Sequence, residues 1–350
     1  MHVVIFAGGA GTRLWPLSRR NSPKQFSIFK DGKSTLQMAI DRVRSFGFDH
    51  MYLSTNEAYI DLVRTQVPEL PVDHIFSEPA KRDLGAAVGL TLSRMRARGV
   101  KGPIAMLWAD HFMDYPDRFV DALTRAKSLI EEKSDRFIFL GETPRFANHN
   151  LGWIHVGDEI DAGLHAFSSW KYRPELGECK DMFASKEWLW NPGYFVFDID
   201  FVLGLYELHM LEMYTALQNM VADDALLQKE YAQLPAMSFD NAIVEKIRED
   251  QAVVLKVDLG WSDPGTLYAL KEALSSSVES NVTRGEVITL DTSDSLIYNE
   301  EEGIIVTTIG VQGLVVVNTK DAVLVCPKDR VPEIRTLLKE IEREGKKQYL

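Results

Sequence analysis

A wholly apolar segment at residues 3–6 runs directly into a loop that contains three glycines, Gly8, Gly9 and Gly11. A continuous apolar run is typical of a parallel strand that is buried on both faces. Glycine adopts turns that other residues resist, and it lets a ligand approach the main chain closely. The segment therefore predicts a buried parallel strand followed by a ligand-binding loop.

The spacing in this loop excludes two common kinds of nucleotide site. A dinucleotide fingerprint needs a small residue three places after Gly11, and this chain has Leu14 there. A P-loop built on the Gly-Lys-Ser at residues 32–34 needs a glycine five places earlier, where this chain has Ser27. A glycine loop by itself is structural about as often as it is functional.

Two cations in the same loop favour an anionic ligand. Arg13 and Lys24 follow the glycines, and free backbone N–H groups can cradle a phosphate chain while the two side chains neutralise it. This combination is more specific than the glycines alone, so we predict a phosphate site.

Further apolar runs alternate with helical patterns along the first three quarters of the chain. They lie at residues 51–54, 74–77, 104–107 and 137–140. Between two of them, Val88, Leu92 and Met95 recur at the spacing of one helix face. The alternation predicts a Rossmann-like α/β fold with a mostly parallel sheet. Ligands of such sheets bind beyond the carboxyl ends of the strands.

The pattern changes after about residue 274. A polar stretch at residues 275–281 precedes a region rich in valine, isoleucine and threonine, which predicts strands of a small β-helix or of a sandwich edge. Residues 332–343 predict a closing amphipathic helix, with Ile334, Leu337, Leu338 and Ile341 on one face. We therefore predict a main domain at residues 1–275 and a C-terminal β-rich domain with its helix at residues 276–350. The β region has little core of its own and is expected to pack on the main domain or on a second subunit.

Charge and cysteine content limit the partners. The chain has 39 Lys and Arg residues against 51 Asp and Glu residues, a net charge of −12 at pH 7, which disfavours nucleic acid and anionic membranes. No apolar stretch is long enough to span a bilayer, and the start lacks the basic lead of a signal peptide. Cys179 and Cys326 form no paired motif, so we predict reduced thiols in a cytoplasmic protein.

The stretch FAGGAGTRLWPLSRRNSPKQF at residues 6–26 resembles the signature of the sugar nucleotidyltransferases, and specifically of the mannose-1-phosphate guanylyltransferases. The likeness continues at residues 77–83 (SEPAKRD), 109–111 (ADH), 190–197 (WNPGYFVF) and 260–270 (GWSDPGTLYAL). The resemblance implies transfer of GMP from GTP to mannose 1-phosphate with release of pyrophosphate. Two alternatives stay open: a nucleotidyltransferase for another sugar 1-phosphate, and a catalytically silent regulatory subunit that binds a nucleotide sugar. A homodimer is possible.

The resemblance also implies a catalytic group of residues. Arg13 is expected on the triphosphate and Lys24 on the reacting phosphates, while Asp110 and Asp263 hold Mg²⁺. Asp110 follows the apolar run at residues 104–107, which places it at the ligand-binding edge of the sheet. Without the resemblance, an aspartate at such a place is more often a helix cap or turn former. The implied nucleotide contacts are Gly8, Gly9, Gly11, Thr12, Glu78 and Arg82.

Glu78 lies after the third apolar run, where the family places its base-recognition loop. A carboxylate can accept hydrogen bonds from N1–H and the exocyclic amine of guanine, which favours GTP. Arg82 is expected to reach a phosphate or to hold Glu78. The family usually continues with Asn-Thr-Ala-Pro, whereas this chain has Asp-Leu-Gly-Ala at residues 83–86.

The sugar side departs further from the family pattern. Gly152 aligns with a turn that presents backbone groups to the sugar, and the amide of Asn191 can bind two hydroxyls. Arg173 keeps the cation that meets the sugar phosphate. Tyr172, however, replaces the glutamate of the family's Glu-Lys-Pro. We therefore expect mannose to be selected less strictly than in relatives that keep the glutamate.

Overall fold

The computed structural model describes residues 1–9, 11–19, 22–30, 32–275, 277 and 279–350, without the side chains of Thr12, Phe29 and Lys30. The chain forms two compact units. The first comprises Met1–Gly8, Ala39–Trp108 and Asp114–Trp261, and the second comprises Gly9–Met38, Ala109–Met113 and Ser262–Leu350. None of the helices in the described ranges has both the length and the apolarity that crossing a membrane requires.

The strands are β1 (His2–Phe6), β2 (Ile28–Lys30), β3 (Lys33–Ser34), β4 (Met51–Asn56), β5 (Ile75–Glu78), β6 (Pro103–Trp108), β7 (Phe137–Glu142), β8 (Gly152–Asp161), β9 (Leu164–Tyr172), β10 (Trp188–Asn191), β11 (Phe195–Asp198), β12 (Ala252–Val257), β13 (Val282–Arg284), β14 (Val287–Leu290), β15 (Leu296–Asn299), β16 (Val306–Ile309), β17 (Leu314–Thr319) and β18 (Ala322–Pro327). The α-helices are α1 (Thr35–Arg42), α2 (Ile60–Gln66), α3 (Asp83–Ala97), α4 (Pro116–Glu132), α5 (Leu176–Ser185), α6 (Ile199–His209), α7 (Leu211–Ala222), α8 (Asp224–Glu230), α9 (Phe239–Ala242), α10 (Leu267–Leu274) and α11 (Ile334–Arg343).

The first unit is built on one large sheet, in the strand order β10-β8-β9-β12-β7-β11-β6-β1-β4-β5. Strands β6, β1, β4 and β5 pair in parallel, as do β12 and β7. Strand β11 runs antiparallel between β6 and β7, and β8 and β9 form an antiparallel pair. The predicted α/β class is confirmed. The antiparallel strands make the sheet more mixed than predicted, because β9 follows β8 so closely in sequence that the two can only pair as a hairpin.

The predicted apolar runs form the core of this unit. The runs at residues 51–54, 104–107 and 137–140 lie inside β4, β6 and β7, and the run at 74–77 is shifted by one residue in β5. In α3, Val88, Leu92 and Met95 are at most 1% exposed. The helix is therefore packed against the sheet on the face that their spacing predicted.

The second unit contains a coiled arrangement of short parallel strands. Strands β13, β15 and β17 pair in parallel in one sheet, and β14 and β16, which lie between them in sequence, pair in parallel in another. The chain thus alternates between two sheets, as in a β-helix, and the sandwich-edge alternative is wrong. The turn between coils carries a hydrogen bond from Asn318 Nδ2 to Asn299 Oδ1 of 2.8 Å.

The small core of the β-helix is completed by other segments of the same unit. Leu14, Trp15, Phe112 and Leu267 pack with buried residues of β13, β15 and β17. These residues supply apolar side chains that the β region, with its small predicted core, lacks. The boundary between residues 275 and 276 stays a prediction, and in the predicted linker Ser276 and Val278 lie outside the described residues.

The predicted closing helix is confirmed with two adjustments. Helix α11 begins at Ile334, after a 3₁₀ turn at Lys328–Glu333. Ile334 is buried, and Leu338 and Ile341 are partly buried against the same core. Leu337 is 39% exposed, so its assignment to the buried face was wrong.

Candidate active site

The loop that follows β1 folds back onto Lys24. Gly11 has φ of +62°, and a Cβ there would lie 2.6 Å from Ser18 Oγ and 2.9 Å from Lys24 Cβ. Both the left-handed backbone and the close approach require glycine. Gly9 has nothing within 4 Å of such an atom. The side chain of Thr12, a predicted nucleotide contact, lies outside the described residues.

Gly11→Ala is expected to lower the free energy of unfolding by about 2 kcal/mol or more, because it adds left-handed backbone strain to a steric clash. Gly9→Ala is the matched control, and we expect it to change stability by less than about 0.5 kcal/mol. Urea denaturation of both variants measures the difference. Equal stabilities would contradict the tight packing of this loop on Lys24.

Lys24 is held between two carboxylates in the second unit. It begins the 3₁₀ turn Lys24–Phe26 and is 6% exposed. Its ammonium contacts Asp110 Oδ2 and lies 3.8 Å from Asp263 Oδ1. Burial lowers the pKa of Lys24, but the two carboxylates outweigh burial and raise it above its ordinary value. The side chain is therefore a permanent cation at neutral pH.

Asp110 is a permanent anion for the complementary reason. Burial raises the pKa of its carboxyl group, but the charges of Lys24 and His111 and the hydrogen bond from Lys24 lower it to about 2. His111 is buried, with Nε2 3.8 Å from Asp110 Oδ1. The cluster thus presents a fixed charge pattern around neutral pH.

A short antiparallel bridge brings the two aspartates together. The N–H of Phe112 donates to the carbonyl of Ser262 at 3.0 Å, and the N–H of Ser262 donates back at 3.1 Å. The segment that follows β6 and the segment that precedes α10 are thereby joined. Because Asp110 and Asp263 are close in sequence to this bridge, they face the same lysine.

Arg13 lies beside Asp263. A Cβ built on Gly265 would be 3.2 Å from Arg13 Nη2 and 3.1 Å from Asp263 Oδ1. The charge of Arg13 also lowers the pKa of Lys24 slightly, against the effect of the carboxylates. The structure therefore brings Arg13, Lys24, Asp110 and Asp263 into one cluster.

Other residues of the signature hold the loop in place. The guanidinium of Arg19 pairs with the carboxylate of Asp321, with Nη1 2.8 Å from Oδ2, and it lies 3.3 Å from Thr319 Oγ1. The indole N–H of Trp15 donates to the carbonyl of Tyr349 at 2.7 Å. These contacts fasten the glycine loop to the β-helix and the C-terminal segment of the same unit, which the sequence motifs did not predict.

Glu78 and Gly8 meet in the first unit. Glu78 is the last residue of β5, not the residue after it, and its Oε2 accepts a hydrogen bond of 2.8 Å from the hydroxyl of Tyr231. A Cβ on Gly8 would lie 3.2 Å from Glu78 Oε1. Arg82 precedes α3, and its buried Nε has no hydrogen-bond partner among the described residues. Tyr231, rather than Arg82, is therefore the residue seen to hold Glu78.

The predicted sugar contacts lie side by side on three strands of the first unit. Gly152 pairs with Tyr172 across β8 and β9, and with Asn191 across β8 and β10. Asn191 Oδ1 already accepts the N–H of Gly193 at 2.9 Å, so its amide is less free than predicted. Arg173 follows β9, and its guanidinium lies 5.0 Å from the centre of the Tyr172 ring.

Glu142 is a buried acid that the sequence analysis missed. Its carboxylate accepts the N–H of Leu259 at 2.9 Å and that of Trp261 at 3.2 Å. Burial raises its pKa to about 7, against the lowering effect of these hydrogen bonds and of Arg145. It thereby holds the main chain at residues 259–261 of the same unit. An acidic residue closing an otherwise apolar strand was the available signal.

The donor set of the lysine cluster fits a hard divalent cation. The described residues contain no group of three or more histidine, cysteine, aspartate or glutamate side chains with metal-ligand geometry. Mg²⁺ is, however, commonly held by one or two carboxylates together with substrate phosphates and water. Asp110 and Asp263, which both face the ammonium of Lys24, suit that role.

A mixed α/β sheet with a glycine loop after its first strand, and with a lysine between two aspartates, is typical of a nucleotidyltransferase. The profile of the nucleotidyl transferase family matches residues 2–280, and that of a MannoseP isomerase/GMP-like β-helix domain matches residues 285–341. Members of the family act on a nucleoside triphosphate and a sugar 1-phosphate, and they typically use a divalent metal ion.

The chain is similar along its full length to named relatives. It is 32% identical to the mannose-1-phosphate guanylyltransferase of Escherichia coli K12 and 30% identical to the mannose-1-phosphate guanylyltransferase ManC of Salmonella typhimurium, in both cases over 100% of this chain and 75% of the relative. A Thermus thermophilus structure described as a mannose-1-phosphate geranyltransferase has a TM-score of 0.88 and 29% identity, over 97% of this chain and 99% of that one. The chain therefore belongs to the nucleotidyl transferase family, in its mannose-1-phosphate guanylyltransferase branch.

Proposed function

We propose that this chain transfers GMP from GTP to mannose 1-phosphate, producing GDP-mannose and pyrophosphate. The observation that carries the proposal is the ammonium of Lys24, which is buried between Asp110 and Asp263. The chain also matches, along its own length, relatives named mannose-1-phosphate guanylyltransferase. A site that combines fixed positive and negative charges suits a reaction between two phosphates, because the cations can bind the phosphates and the carboxylates can hold a metal ion.

The cations bring two polyanions together. Arg13 binds the triphosphate with the backbone of Gly8, Gly9 and Gly11, and Lys24 bridges the attacking and the reacting phosphates. Positioning and electrostatic stabilisation supply most of the rate in such phosphoryl transfers. No general base is needed, because the attacking phosphate oxygen is already ionised at neutral pH.

Asp110 and Asp263 would hold Mg²⁺, which when bound supplies positive charge to the phosphates of the nucleotide. The ammonium of Lys24 contacts Asp110 and lies 3.8 Å from Asp263 Oδ1. It thereby keeps the two acids close together and compensates part of their charge.

The base and the sugar are bound by residues of the first unit. Glu78 accepts hydrogen bonds from guanine, and Arg82, whose Nε has no partner among the described residues, binds a polar group of the nucleotide. On the sugar side, Gly152 and Asn191 contact the hydroxyls and Arg173 contacts the sugar phosphate.

The deciding experiment incubates the purified full chain with GTP, mannose 1-phosphate and Mg²⁺ and measures pyrophosphate release. We expect equal amounts of pyrophosphate and GDP-mannose, with little product from UTP or dTTP and none in EDTA. Turnover with another sugar 1-phosphate only would transfer the proposal to that sugar. Absence of turnover with every pair, despite GTP binding, would favour a regulatory subunit.

Tyr172 stands where the family has a glutamate. This difference favours a second candidate function, an enzyme that discriminates less strictly between mannose 1-phosphate and other sugar 1-phosphates. Tyr172 is 63% exposed, and a tyrosine offers one hydroxyl where a glutamate offers two acceptor oxygens. An unpaired polar group in a sugar pocket costs about 1–3 kcal/mol, roughly 5- to 150-fold in rate. We therefore expect a low ratio of kcat/KM for mannose 1-phosphate over glucose 1-phosphate.

Variants of two neighbouring residues test this sugar pocket. We expect Tyr172→Glu to raise the mannose-to-glucose ratio and Asn191→Ala to lower it about tenfold. Asn219→Ala, on the exposed side of α7, is the control and leaves the ratio unchanged. If neither pocket variant alters the ratio, the assigned sugar pocket is wrong.

The proposal includes a homodimer in the cytoplasm. Ile288 and Leu290 of β14 and Ile309 of β16 are 58–70% exposed, an apolar patch of the kind that a second copy covers. Light scattering would detect the dimer, and Ile309→Lys would shift it to monomer.

Cys179 and Cys326 are both free thiols, as is usual in a reducing compartment.

A further inference from the structure

The carboxylate of Glu78 accepts a hydrogen bond from a side chain that is far away in sequence. Tyr231 Oη donates to Glu78 Oε2 at 2.8 Å across 153 positions of the chain. The other oxygen, Oε1, lies against Gly8, where a Cβ would be only 3.2 Å away. The tyrosine therefore restrains the carboxylate through Oε2, while Oε1 faces a glycine that carries no side chain.

Tyr231 is built as a permanent hydrogen-bond donor. It is fully buried at the 3₁₀ turn Tyr231–Gln233 that follows α8. Burial, and then the charge of Glu78, raise the pKa of its phenol far above the ordinary value. Its hydroxyl keeps its proton throughout the pH range in which enzymes work. No sequence motif singles this residue out.

We propose that Tyr231 is the positioning residue for nucleobase selection: it holds Glu78 so that the carboxylate accepts both N1–H and the exocyclic amine of guanine. The inference rests on the proposed role of Glu78 as the guanine contact. It adds a second, buried residue on which the choice of base depends.

The ionisation of Glu78 supports this role. Burial raises the pKa of its carboxyl group to about 7, while the Tyr231 hydrogen bond and the charge of Lys81 lower it and the charge of Asp83 raises it. Arg94 and Tyr206 act on Tyr231, and Arg94 Nη2 lies 3.8 Å from Asp224 Oδ1. A protonated carboxyl group loses one acceptor position, so guanine selection should weaken as the pH falls below about 7.

The test compares the binding of GTP and ITP to the full chain, by calorimetry with Mg²⁺ between pH 6 and 8. ITP lacks the exocyclic amine but carries the same phosphates, so the ratio of the two dissociation constants cancels phosphate titration. In the unmodified protein we expect preference for GTP above pH 7 and a decline below it. In Tyr231→Phe the midpoint should move up by about one pH unit, and the preference at pH 7 should fall roughly five- to tenfold.

Tyr206→Phe is the matched control. Tyr206 is also fully buried, but its hydroxyl donates to the carbonyl of Gly85 at 2.6 Å and not to Glu78. Both variants lose one buried hydroxyl, so both should lose stability. Only Tyr231→Phe should move the pH midpoint, and an equal shift in Tyr206→Phe would overturn the inference.

Glu78→Gln separates this inference from the function on which it rests. We expect it to abolish both the pH dependence and most of the preference for GTP. If it does so while Tyr231→Phe behaves like the unmodified protein, the role of Tyr231 is wrong and that of Glu78 stands. If Glu78→Gln keeps the full preference, the base is selected elsewhere and the inference fails with the role of Glu78. The transfer reaction is judged independently by pyrophosphate release.

Discussion

Asp110→Asn is expected to reduce turnover by about a hundredfold or more while the chain remains folded. The substitution keeps the size of the side chain and removes the charge that faces Lys24 and that would hold Mg²⁺. Lys24 retains a second carboxylate, Asp263, at 3.8 Å, which limits the loss of stability. Pyrophosphate release over a Mg²⁺ titration measures the effect, and circular dichroism checks the fold.

Asp258→Asn is the control for this change. Asp258 also follows a strand, β12, but it is 61% exposed and pairs with the exposed Arg118. Surface ion pairs of this kind contribute little to stability, so near-normal activity is expected. Near-normal turnover of Asp110→Asn at ordinary Mg²⁺ concentrations would defeat the assignment of Asp110 as a metal ligand.

Lys24→Met is expected to lower kcat by about a hundredfold, with a smaller rise in KM for GTP. Methionine keeps the unbranched stem beside Gly11 and deletes the ammonium that we propose bridges the reacting phosphates. The side chains of Asp110 and Asp263 are 27% and 31% exposed. Water can therefore hydrate both carboxylates in the variant, which limits the loss of folding stability. Steady-state kinetics with GTP and mannose 1-phosphate separates kcat from KM.

The control for Lys24→Met is Lys320→Met, which removes an exposed cation of the same unit and should leave the kinetics unchanged. Since the pKa of Lys24 is raised by its carboxylate partners, no loss of activity from lysine deprotonation is expected near neutral pH. An unchanged kcat in Lys24→Met would remove this residue from the transition state. A rise in KM alone would restrict it to binding GTP.

The elements of the core were accessible from local pattern. The strands at residues 3–6, 104–107 and 137–140 are apolar on both faces, which only a sheet covered on both sides accommodates. The antiparallel strand β11 was not predicted. An apolar segment of this length does not encode its direction, which depends on its partners β6 and β7.

The candidate site also has features that local sequence predicts and features that it does not. Its glycine loop with Arg13 and Lys24 was predictable, because the glycines and both cations lie within one short segment. The contacts of Tyr231 with Glu78, and of Glu142 with the backbone before Asp263, join residues more than a hundred positions apart. Neither has a motif.

Sequence pattern was therefore sufficient for the fold class and the β-rich C-terminal region, because strand burial and turn conformation are properties of neighbouring residues. Phosphate binding by the glycine loop stays a prediction. Which oxygen of Glu78 is held, how free the amide of Asn191 is, and which segments complete the core of the β-helix were settled by folding alone. Each of these depends on distances between side chains that are remote in sequence, and such distances exist only once the chain has packed.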